Sequence, residues 1–350
     1  MHVPFTPEVR HPWALLSPKV GLPAPFAPSC DFPTMLRTFA QRLFGGLLPA
    51  PEDRLRRAKL IACDIDGTLL NADEMIGAET LKLIRTIQKL GIHFILITRR
   101  HHQAAEFFAE DLRMSEPVIS LDGAMARFLR GEILFTVAFD QEFALDIIDE
   151  IAQTDNVAGS VVTPDGILCT EPDATLPSHH QHWNIETTIA GNFEEASGGL
   201  LEIIASGSFH AVNTVFDYVN RKMRPGELKI KLYESHSRRE LWHMEVRARQ
   251  ATKQKALERL IERYDITMRE VIGIGDHYND LDFCASAGYV VAVANAIGEL
   301  KEMADFVTKR DCLDEGINEF LEYFVGLRTA DAPSASTEDN PSRTGRRRSR

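Results

Sequence analysis

Two acids stand at the end of an apolar run in the segment IACDIDGT, where Asp64 and Asp66 lie two residues apart. A single acid at such a place often caps a helix that follows it. The chain repeats the arrangement, with Thr98 after a second apolar run and with Asp276 and Asp280 after a third. Acids and a hydroxyl group behind three separate apolar runs are more typical of a catalytic site than of helix caps.

These side chains suit the transfer of a phosphoryl group. Carboxylates placed close together repel one another unless a cation lies among them, and oxygen ligands without histidine or cysteine favour magnesium, Mg²⁺. Asp64 can then attack phosphorus as a nucleophile and form an aspartyl-phosphate. Asp66 can protonate the leaving oxygen and afterwards activate the water that hydrolyses the intermediate. A hydroxyl group and a lysine would hold the phosphoryl oxygens and offset their charge.

Short apolar strands and amphipathic helices alternate around these residues. The predicted strands are KLIAC (59–63), IHFILIT (92–98), PVISL (117–121), EVIGIGD (270–276), YVVAVA (289–294) and DFVT (305–308). Between the first two, GAETLKLIRTIQKLG repeats apolar residues at helical spacing and ends in a glycine. Such alternation predicts an α/β fold with a parallel sheet covered on both faces. Ligands of such sheets bind beyond the carboxyl ends of the strands, where the acids stand.

The segment DIDGT, the later Thr98, a lysine and the segment GDHYND follow one another in an order that resembles the haloacid-dehalogenase-like superfamily of phosphotransferases. Within it, the chain looks like the Cof-like phosphatases, which carry a large α/β cap inserted between the second and third motifs. The resemblance extends over residues 59–326. It implies a Rossmann-like parallel sheet core with an inserted α+β cap domain.

The chain is expected to divide into a core, a cap and two tails. These are a Pro-rich N-terminal extension (1–57), a catalytic core in two pieces (58–128 and 246–328), an inserted cap domain (129–245) and a disordered, basic-tipped tail (329–350). Within the extension, residues 35–46 have a short helical pattern that we expect to lie against the protein's own body. Met35 is also a candidate for the true start of the protein.

The resemblance assigns the metal site and the acid–base chemistry residue by residue. Asp64 matches the nucleophile, which is also a ligand of Mg²⁺. Asp66 matches the general acid and base, and its backbone carbonyl is a metal ligand in such enzymes. Asp276 matches the principal acidic metal ligand, and Asp280 matches the second acid of that motif. An aspartate at position 66 favours hydrolysis of phosphate esters over dehalogenation or ATP-driven pumping.

The same resemblance assigns the groups that hold the phosphate. Thr98 matches the phosphate-binding hydroxyl group, and Lys253 matches the lysine that neutralises the phosphoryl group and the nucleophile. Asn279 matches a residue that often contacts the phosphate. Lys255 is the alternative lysine if Lys253 points away from the site.

Three positions depart from the pattern of this subfamily. The second motif reads TRR, so that Arg99 stands where glycine is common, while Arg100 keeps the family's arginine. The third strand ends in SLDGA, which puts Asp122 where asparagine is usual, and Gln254 replaces the glycine common after the lysine. Arg99, Arg100 and Asp122 are therefore candidate substrate contacts.

Composition excludes several other classes of protein. The chain of 350 residues has a net charge of −12, which is unsuited to nucleic acid binding. Its five cysteines form no CxxC pair and predict buried thiols in a reducing cytoplasm. No apolar stretch is long enough for a membrane helix. Lys229 and Lys231 alternate on one predicted strand of the cap, where we expect a solvated sheet face rather than a substrate contact.

The sequence therefore predicts a Mg²⁺-dependent phosphatase that acts on a small phosphorylated metabolite, such as a sugar phosphate or a phosphorylated cofactor. A phosphomutase or phosphotransferase of the same superfamily is the first alternative. A non-catalytic module that binds a phosphorylated ligand is the second, although it would be expected to lack Asp64 or Asp66. A protein that works through its N-terminal extension is the third.

Overall fold

The computed structural model describes residues 49–171, 176–177, 180, 185–190, 193, 199–223, 226–235 and 238–330. The helical pattern predicted at 35–46 and almost all of the predicted extension lie outside the described residues. Residues 331–350, nearly all of the predicted disordered tail, also lie outside the described residues. The described residues include the whole of the predicted core and most of the predicted cap.

Strands and helices follow one another along most of the described chain. The strands are β1 (Leu60–Cys63), β2 (His93–Leu96), β3 (Val118–Ser120), β4 (Met125–Arg127), β5 (Ile133–Thr136), β6 (Val157–Thr163), β7 (Gly166–Cys169), β8 (Thr187–Ile189), β9 (Glu202–Gly207), β10 (Leu228–Glu234), β11 (Trp242–Ala248), β12 (Val271–Gly275), β13 (Tyr289–Ala292) and β14 (Phe306–Val307). The helices are α1 (Pro51–Arg57), α2 (Ala78–Lys89), α3 (His102–Leu112), α4 (Gln141–Gln153), α5 (Phe209–Lys222), α6 (Lys253–Glu262), α7 (Leu281–Ser286), α8 (Gly298–Met303) and α9 (Ile317–Ala330).

The core sheet consists of parallel strands in the order β14-β13-β12-β1-β2. Every residue of β1 and β12 is buried, as expected when helices cover both faces of a sheet. The predicted α/β fold with a parallel core is thereby confirmed. Because β1 lies between β2 and β12, the residues that follow these three strands meet at one edge.

Helices cover this sheet because their apolar residues recur on one face. In α2, Leu83, Ile84 and Ile87 are buried in the core. Helix α9 packs against α2 and buries Phe320 and Phe324 in the same apolar cluster. The predicted helix over 77–91 is thus one of the layers that hold β1 and β2 in place.

The segment PVISL was predicted as a further strand of the parallel sheet, and this prediction was wrong for most of its length. β3 pairs antiparallel with β4, and β4 with β5, in a separate sheet. A single parallel bridge, between Ile97 and Ile119, joins it to the end of β2. The reason is local: Leu121 and Asp122 both have positive φ, 52° and 51°, and turn the chain away after three residues.

The cap is built on a second large sheet, in the order β10-β11-β9-β6-β7-β8. All of its pairs are antiparallel except β7 with β8. One face packs on α4 and α5 in an apolar cluster that includes Ile147, Val215 and Met244. On the other face, Ile204 packs with Leu121 of the core. The core-facing side of the cap sheet therefore lies against the segment that follows β3.

Two elements lie at the predicted boundaries of the core. Helix α1, in the last part of the predicted extension, buries Leu55 completely, and Arg54 pairs with both carboxylate oxygens of Asp305 at 2.8 Å. Pro51 at its start and acids in its first turn favour a helix there. Strand β11 ends at Ala248, so the boundary predicted at 245/246 falls within a cap strand.

Membrane helices and disulfides are both missing from the part of the chain that the structure describes. None of the helices found there is long and apolar enough to cross a bilayer. The cysteines described are buried thiols, as the sequence predicted: Cys63, Cys169, Cys284 and Cys312.

Candidate active site

Three strand ends bring the predicted catalytic residues together. β1 pairs in parallel with both β2 and β12, so the residues that follow these strands lie side by side. Asp64 comes directly after β1, Thr98 two residues after β2, and Asp276 directly after β12. Asp64 and Thr98 are buried, so the site is set into the edge of the sheet.

A lysine from α6 completes the centre. Lys253 is the first residue of that helix and is only 2% exposed. Its Nζ donates to Asp64 Oδ1 at 2.5 Å and to Asp280 Oδ1 at 2.7 Å. The alternative lysine, Lys255, instead contacts Gln250 at the surface. Lys253 is therefore the lysine that the structure brings to the acids.

The acids form a cluster with surplus negative charge. Asp64, Asp276 and Asp280 each offer an oxygen within 4.8 Å of the others. Burial, and then repulsion by Asp280 and Asp276, raise the pKa of Asp64 well above its usual range although Lys253 opposes them. Burial and the charge of Asp280 raise the pKa of Asp276 to about 7. Burial alone would lower the pKa of Lys253, but attraction by Asp280 and Asp64 outweighs it, so the pKa is raised.

Asp280 holds the loop that follows β12. Its Oδ2 accepts hydrogen bonds from the backbone amides of Asp276 and His277, both at 3.0 Å, and closes a capping box on the turn Tyr278–Asp280. Its Oδ1 accepts from Lys253. Because both oxygens are engaged, Asp280 orients Asp276 and Lys253. Its role as a direct metal ligand stays a prediction.

The carboxylate of Asp276 is also fixed by the segment that follows Asp66. Thr68 Oγ1 donates to Asp276 Oδ1 at 3.1 Å. Gly67 has a φ of +77°, and a Cβ there would lie 2.4 Å from Asp276 Oδ2. Asn295 Nδ2 donates to the carbonyl oxygen of Gly67 at 2.7 Å. The glycine of the DIDGT segment therefore serves both the turn and the close approach of Asp276.

Asp66 pairs with an arginine of the second motif. Its side chain is 53% exposed, and its Oδ2 accepts from Arg100 Nε at 2.7 Å while its Oδ1 accepts from a second nitrogen of the same guanidinium group. The guanidinium group lies over the ring of Phe108 at 5.3 Å. Arg100 therefore orients Asp66, and its role as a substrate contact stays a prediction.

Thr98 and Asn279 are linked through Asp122. Thr98 Oγ1 accepts from the backbone amide of Arg100 at 3.1 Å, and the Thr98 carbonyl oxygen accepts from the amide of Asp122 at 3.0 Å. Asn279 Nδ2 donates to Asp122 Oδ1, also at 3.0 Å. Asp122, where asparagine is usual in the subfamily, is thus tied to both the second motif and the catalytic loop.

A core–cap charge network, buried except for Arg99, was not predicted from the sequence. It consists of Arg99 and Asp122 from the core and Glu202, Glu245 and Arg247 from the cap. Arg247 is 3% exposed, with Nη1 3.0 Å from Asp122 Oδ2 and Nε 3.4 Å from Glu202 Oε1. In a second ion pair the core supplies the arginine: Arg99 of the core binds Glu245 of the cap. Each domain thus supplies an arginine to an acid of the other.

The charges of this network stabilise one another. Burial by itself would raise the pKa of Asp122, but Arg247 and then Lys231 hold it well below its usual range. Burial likewise lowers the pKa of Arg247 and of Arg99, yet the neighbouring acids outweigh it and raise both. One signal was available in the segment HMEVR, where every second residue is polar and the residues between are apolar.

The expectation of a solvated sheet face for the cap lysines was wrong for Lys231. Lys229 is exposed, but Lys231 is only partly exposed, and its Nζ lies 3.9 Å from Asp122 Oδ2. The reason is tertiary, because this face of the cap sheet lies against the core. His180 of the cap is also buried, with Nε2 3.1 Å from Glu202 Oε2.

Comparison with known proteins decides the family. Residues 61–321 match the family model described as haloacid dehalogenase-like hydrolase. The chain belongs to this family. The matched range includes every predicted site residue and all of both large sheets except Leu60. The predicted enzyme class, a phosphatase, is confirmed together with the family.

Individual relatives agree with this. The chain is 28% identical over 277 residues to Phosphatase YwpJ of Bacillus subtilis (strain 168), a match that covers 71% of this chain and 94% of the relative. It is 27% identical over 291 residues to the 5-amino-6-(5-phospho-D-ribitylamino)uracil phosphatase YwtE of the same organism, covering 76% and 98%. A crystal structure of a haloacid dehalogenase-like hydrolase from Bacteroides thetaiotaomicron has the same fold, with a TM-score of 0.66 at 22% identity, covering 76% of this chain and 99% of that one.

Proposed function

We propose that this hydrolase is a Mg²⁺-dependent phosphatase that cleaves the phosphate ester of a small metabolite through an aspartyl-phosphate on Asp64. The observation that carries this proposal is the contact of the buried Lys253 with the buried Asp64, beside the partly buried Asp276. The side chain of Asp66, in contrast, is open to solvent. A sugar phosphate or a phosphorylated cofactor is the proposed substrate class. It is supported by a relative named for a phosphoribityl compound.

Asp64 is the proposed nucleophile. Its Oδ1 accepts from Lys253, which leaves Oδ2 for attack on phosphorus and keeps the carboxylate in one orientation. As the bond from Oδ2 to phosphorus forms, the ester bond between phosphorus and the leaving oxygen breaks. Lys253 then lies beside the oxygens whose negative charge grows in the transition state.

Asp66 is the proposed proton donor and acceptor. Its exposed side chain turns from Arg100 toward the leaving oxygen and gives that oxygen a proton. The same carboxylate then takes a proton from the water that attacks the aspartyl-phosphate, which releases inorganic phosphate and restores Asp64. Arg100 binds the ionised form of Asp66 between turnovers.

The residues present fit a divalent cation. Asp64 is buried and Asp276 is partly buried, both beside Asp280, and their raised pKa values mark negative charge that a cation would offset. Asp64, Asp276 and the carbonyl oxygen of Asp66 would hold it, and such an all-oxygen set suits Mg²⁺. When bound, Mg²⁺ offsets the charge of the phosphoryl oxygens during transfer.

Two further groups would hold the phosphoryl oxygens. Thr98 Oγ1 accepts from the amide of Arg100, so its own proton is available to donate to the phosphate. Asn279 lies on the loop after β12, and its amide donates to Asp122. In the proposed complex the phosphate lies between Thr98, Lys253 and Asn279.

The proposed partner is a small phosphorylated molecule rather than a nucleic acid, because the net charge of −12 disfavours a polyanion. We infer a cytoplasmic location because the cysteines that the structure describes are buried thiols that form no disulfide.

The substitution Asp64→Asn tests the function. We expect it to lower the hydrolysis of p-nitrophenyl phosphate in Mg²⁺ by about a thousandfold or more, because it removes the nucleophile. Asp73→Asn makes the same change at an exposed acid and is expected to keep full activity. Acid quenching with ³²P-labelled substrate should leave label on the wild type and none on the Asp64 variant.

Two outcomes would contradict the proposal. Unchanged hydrolysis by the Asp64 variant would remove the nucleophile from the mechanism. Transfer of the phosphoryl group to a second position of a sugar, with little inorganic phosphate released, would identify a phosphomutase instead.

A further inference from the structure

Lys231 is a cap cation without a close acceptor. Within the part of the chain that the structure describes, Asp122 is the one acid within 4 Å of its Nζ, with Oδ2 at 3.9 Å. That oxygen already lies 3.0 Å from Arg247 Nη1. The Lys231 side chain is 33% exposed, so its ammonium group is neither enclosed in an ion pair nor fully solvated.

The alternation of β10 directs Lys231 toward the core. Ile230 and Leu232 pack into the apolar cluster on the cap helices, so the side chain between them lies on the opposite, core-facing side of the sheet. There Asp122 connects it to the catalytic loop. Asp122 Oδ1 accepts from Asn279, while its Oδ2 faces Lys231. Lys231 is therefore a direct neighbour of the groups that adjoin the proposed phosphate site.

The acids near Lys231 do not fully offset the positive charges around it. Burial, and then repulsion by Arg99 and Arg247, lower its pKa to about 8, although Asp122 and Glu245 act in the opposite direction. Both of these acids are already paired with guanidinium groups of the core–cap charge network. The charge of an anion placed against Lys231 would offset this repulsion between cations.

We infer that Lys231 binds an oxyanion on the leaving group of the substrate, a carboxylate or a second phosphate, and so selects esters that carry two anionic groups. This inference rests on the proposed function, because the subsite adjoins the place assigned to the reacting phosphate. Arg99, whose side chain is 30% exposed, is the second cation able to share the oxyanion. A charge-assisted hydrogen bond in such a place favours the charged substrate by about ten- to a hundredfold.

Two matched pairs of substrates test the preference. 3-Phosphoglycerate and glycerol 3-phosphate differ in one carboxylate against a hydroxymethyl group. Fructose 1,6-bisphosphate and fructose 6-phosphate differ in one phosphate against a hydroxyl group. For the wild type we expect kcat/KM to be at least about tenfold higher for the doubly anionic member of at least one pair. A preference within the first pair would indicate a subsite for a carboxylate, and one within the second pair a subsite for a phosphate.

Substitutions at position 231 then assign the preference to the lysine. Lys231→Met and Lys231→Gln remove the charge with two different side chains, and each is expected to lower the ratio of kcat/KM within the preferred pair by about tenfold or more. Lys231→Arg keeps a cation and should retain most of the ratio. Lys229→Met removes a lysine two residues away on the same strand, where the side chain is exposed, and should leave the ratio as it is in the wild type.

The results that would overturn the inference are separate from those that would overturn the proposed function. Ratios near one in both pairs, failure to hydrolyse either doubly anionic member, or an unchanged ratio in Lys231→Met and Lys231→Gln would each refute the oxyanion subsite. Hydrolysis of p-nitrophenyl phosphate by the same preparations would show that the phosphatase itself is intact. If the wild type did not hydrolyse p-nitrophenyl phosphate, the proposed function itself would be refuted.

Discussion

Removal of Arg247 should destabilise the junction of core and cap. This residue supplies the charge that Asp122 of the core and Glu202 of the cap share, and its Nη1 also donates to the carbonyl oxygen of Leu121 at 3.2 Å. Arg247→Met keeps much of the side chain's length but removes every one of these contacts. The buried acids then lose their principal counter-charge while their desolvation remains.

The expected cost follows from the burial of the partners. Removing one member of a buried ion pair lowers the free energy of unfolding by about 3–5 kcal/mol, because the remaining charge stays desolvated. Asp122 and Glu202 are 4% and 1% exposed, which places this case in the buried class. Lys231, at 3.9 Å from Asp122, and Arg99, paired with Glu245, can offset part of the loss. We therefore expect the lower end of the range, about 3 kcal/mol, and a fall in Tm of roughly 6–12 °C.

Urea denaturation and scanning calorimetry measure this loss directly. Arg249→Met is the matched control, since Arg249 is exposed two residues further on and should change the free energy of unfolding by less than about 0.5 kcal/mol. In the double variant Asp122→Asn/Arg247→Met the core acid is neutralised, so we expect part of the stability to return, with a coupling of at least about 1 kcal/mol. A loss below about 1 kcal/mol in Arg247→Met, or strictly additive effects, would refute the account of the network.

Two further predictions concern Asp276 and the glycine that packs against it. Gly67→Ala should lower kcat/KM by about tenfold or more, because the added Cβ would displace the Asp276 carboxylate. The control Gly91→Ala has a similar positive φ but no atom within 4 Å of the Cβ, so it should lose only about 1–2 kcal/mol of stability and keep its activity. Equal activity in the two variants would contradict this prediction. Burial and Asp280 raise the pKa of Asp276 from an ordinary value of 3.8 to about 7, so the stability due to its protonated form is lost as pH rises through 7. Mg²⁺ bound at Asp276, as proposed, would compete with that proton. The rise in Tm on adding Mg²⁺ should therefore grow from about pH 5.5 to pH 8 and be largely absent in Asp276→Asn, and a pH-independent rise would refute it.

The sequence by itself determined the parallel core and the place of its chemistry. Apolar runs alternating with amphipathic helices require a sheet that is covered on both faces, and the acids stand directly after those runs. Once β2, β1 and β12 lie side by side, Asp64, Thr98 and Asp276 must meet, because parallel strands end at the same edge. The order and direction of the strands bring these residues together, whatever contacts their side chains make.

Only the tertiary structure decided how these groups are charged and partnered. The choice of Lys253 over Lys255 depends on the packing of α6, and Lys253 contacts Asp64 across 189 residues of chain. The pairing of Arg99 with Glu245 spans 146 residues and forms only where the cap sheet rests on the core. Local patterns do not encode such partners, since strand periodicity tells which face a side chain takes but not which surface that face will meet.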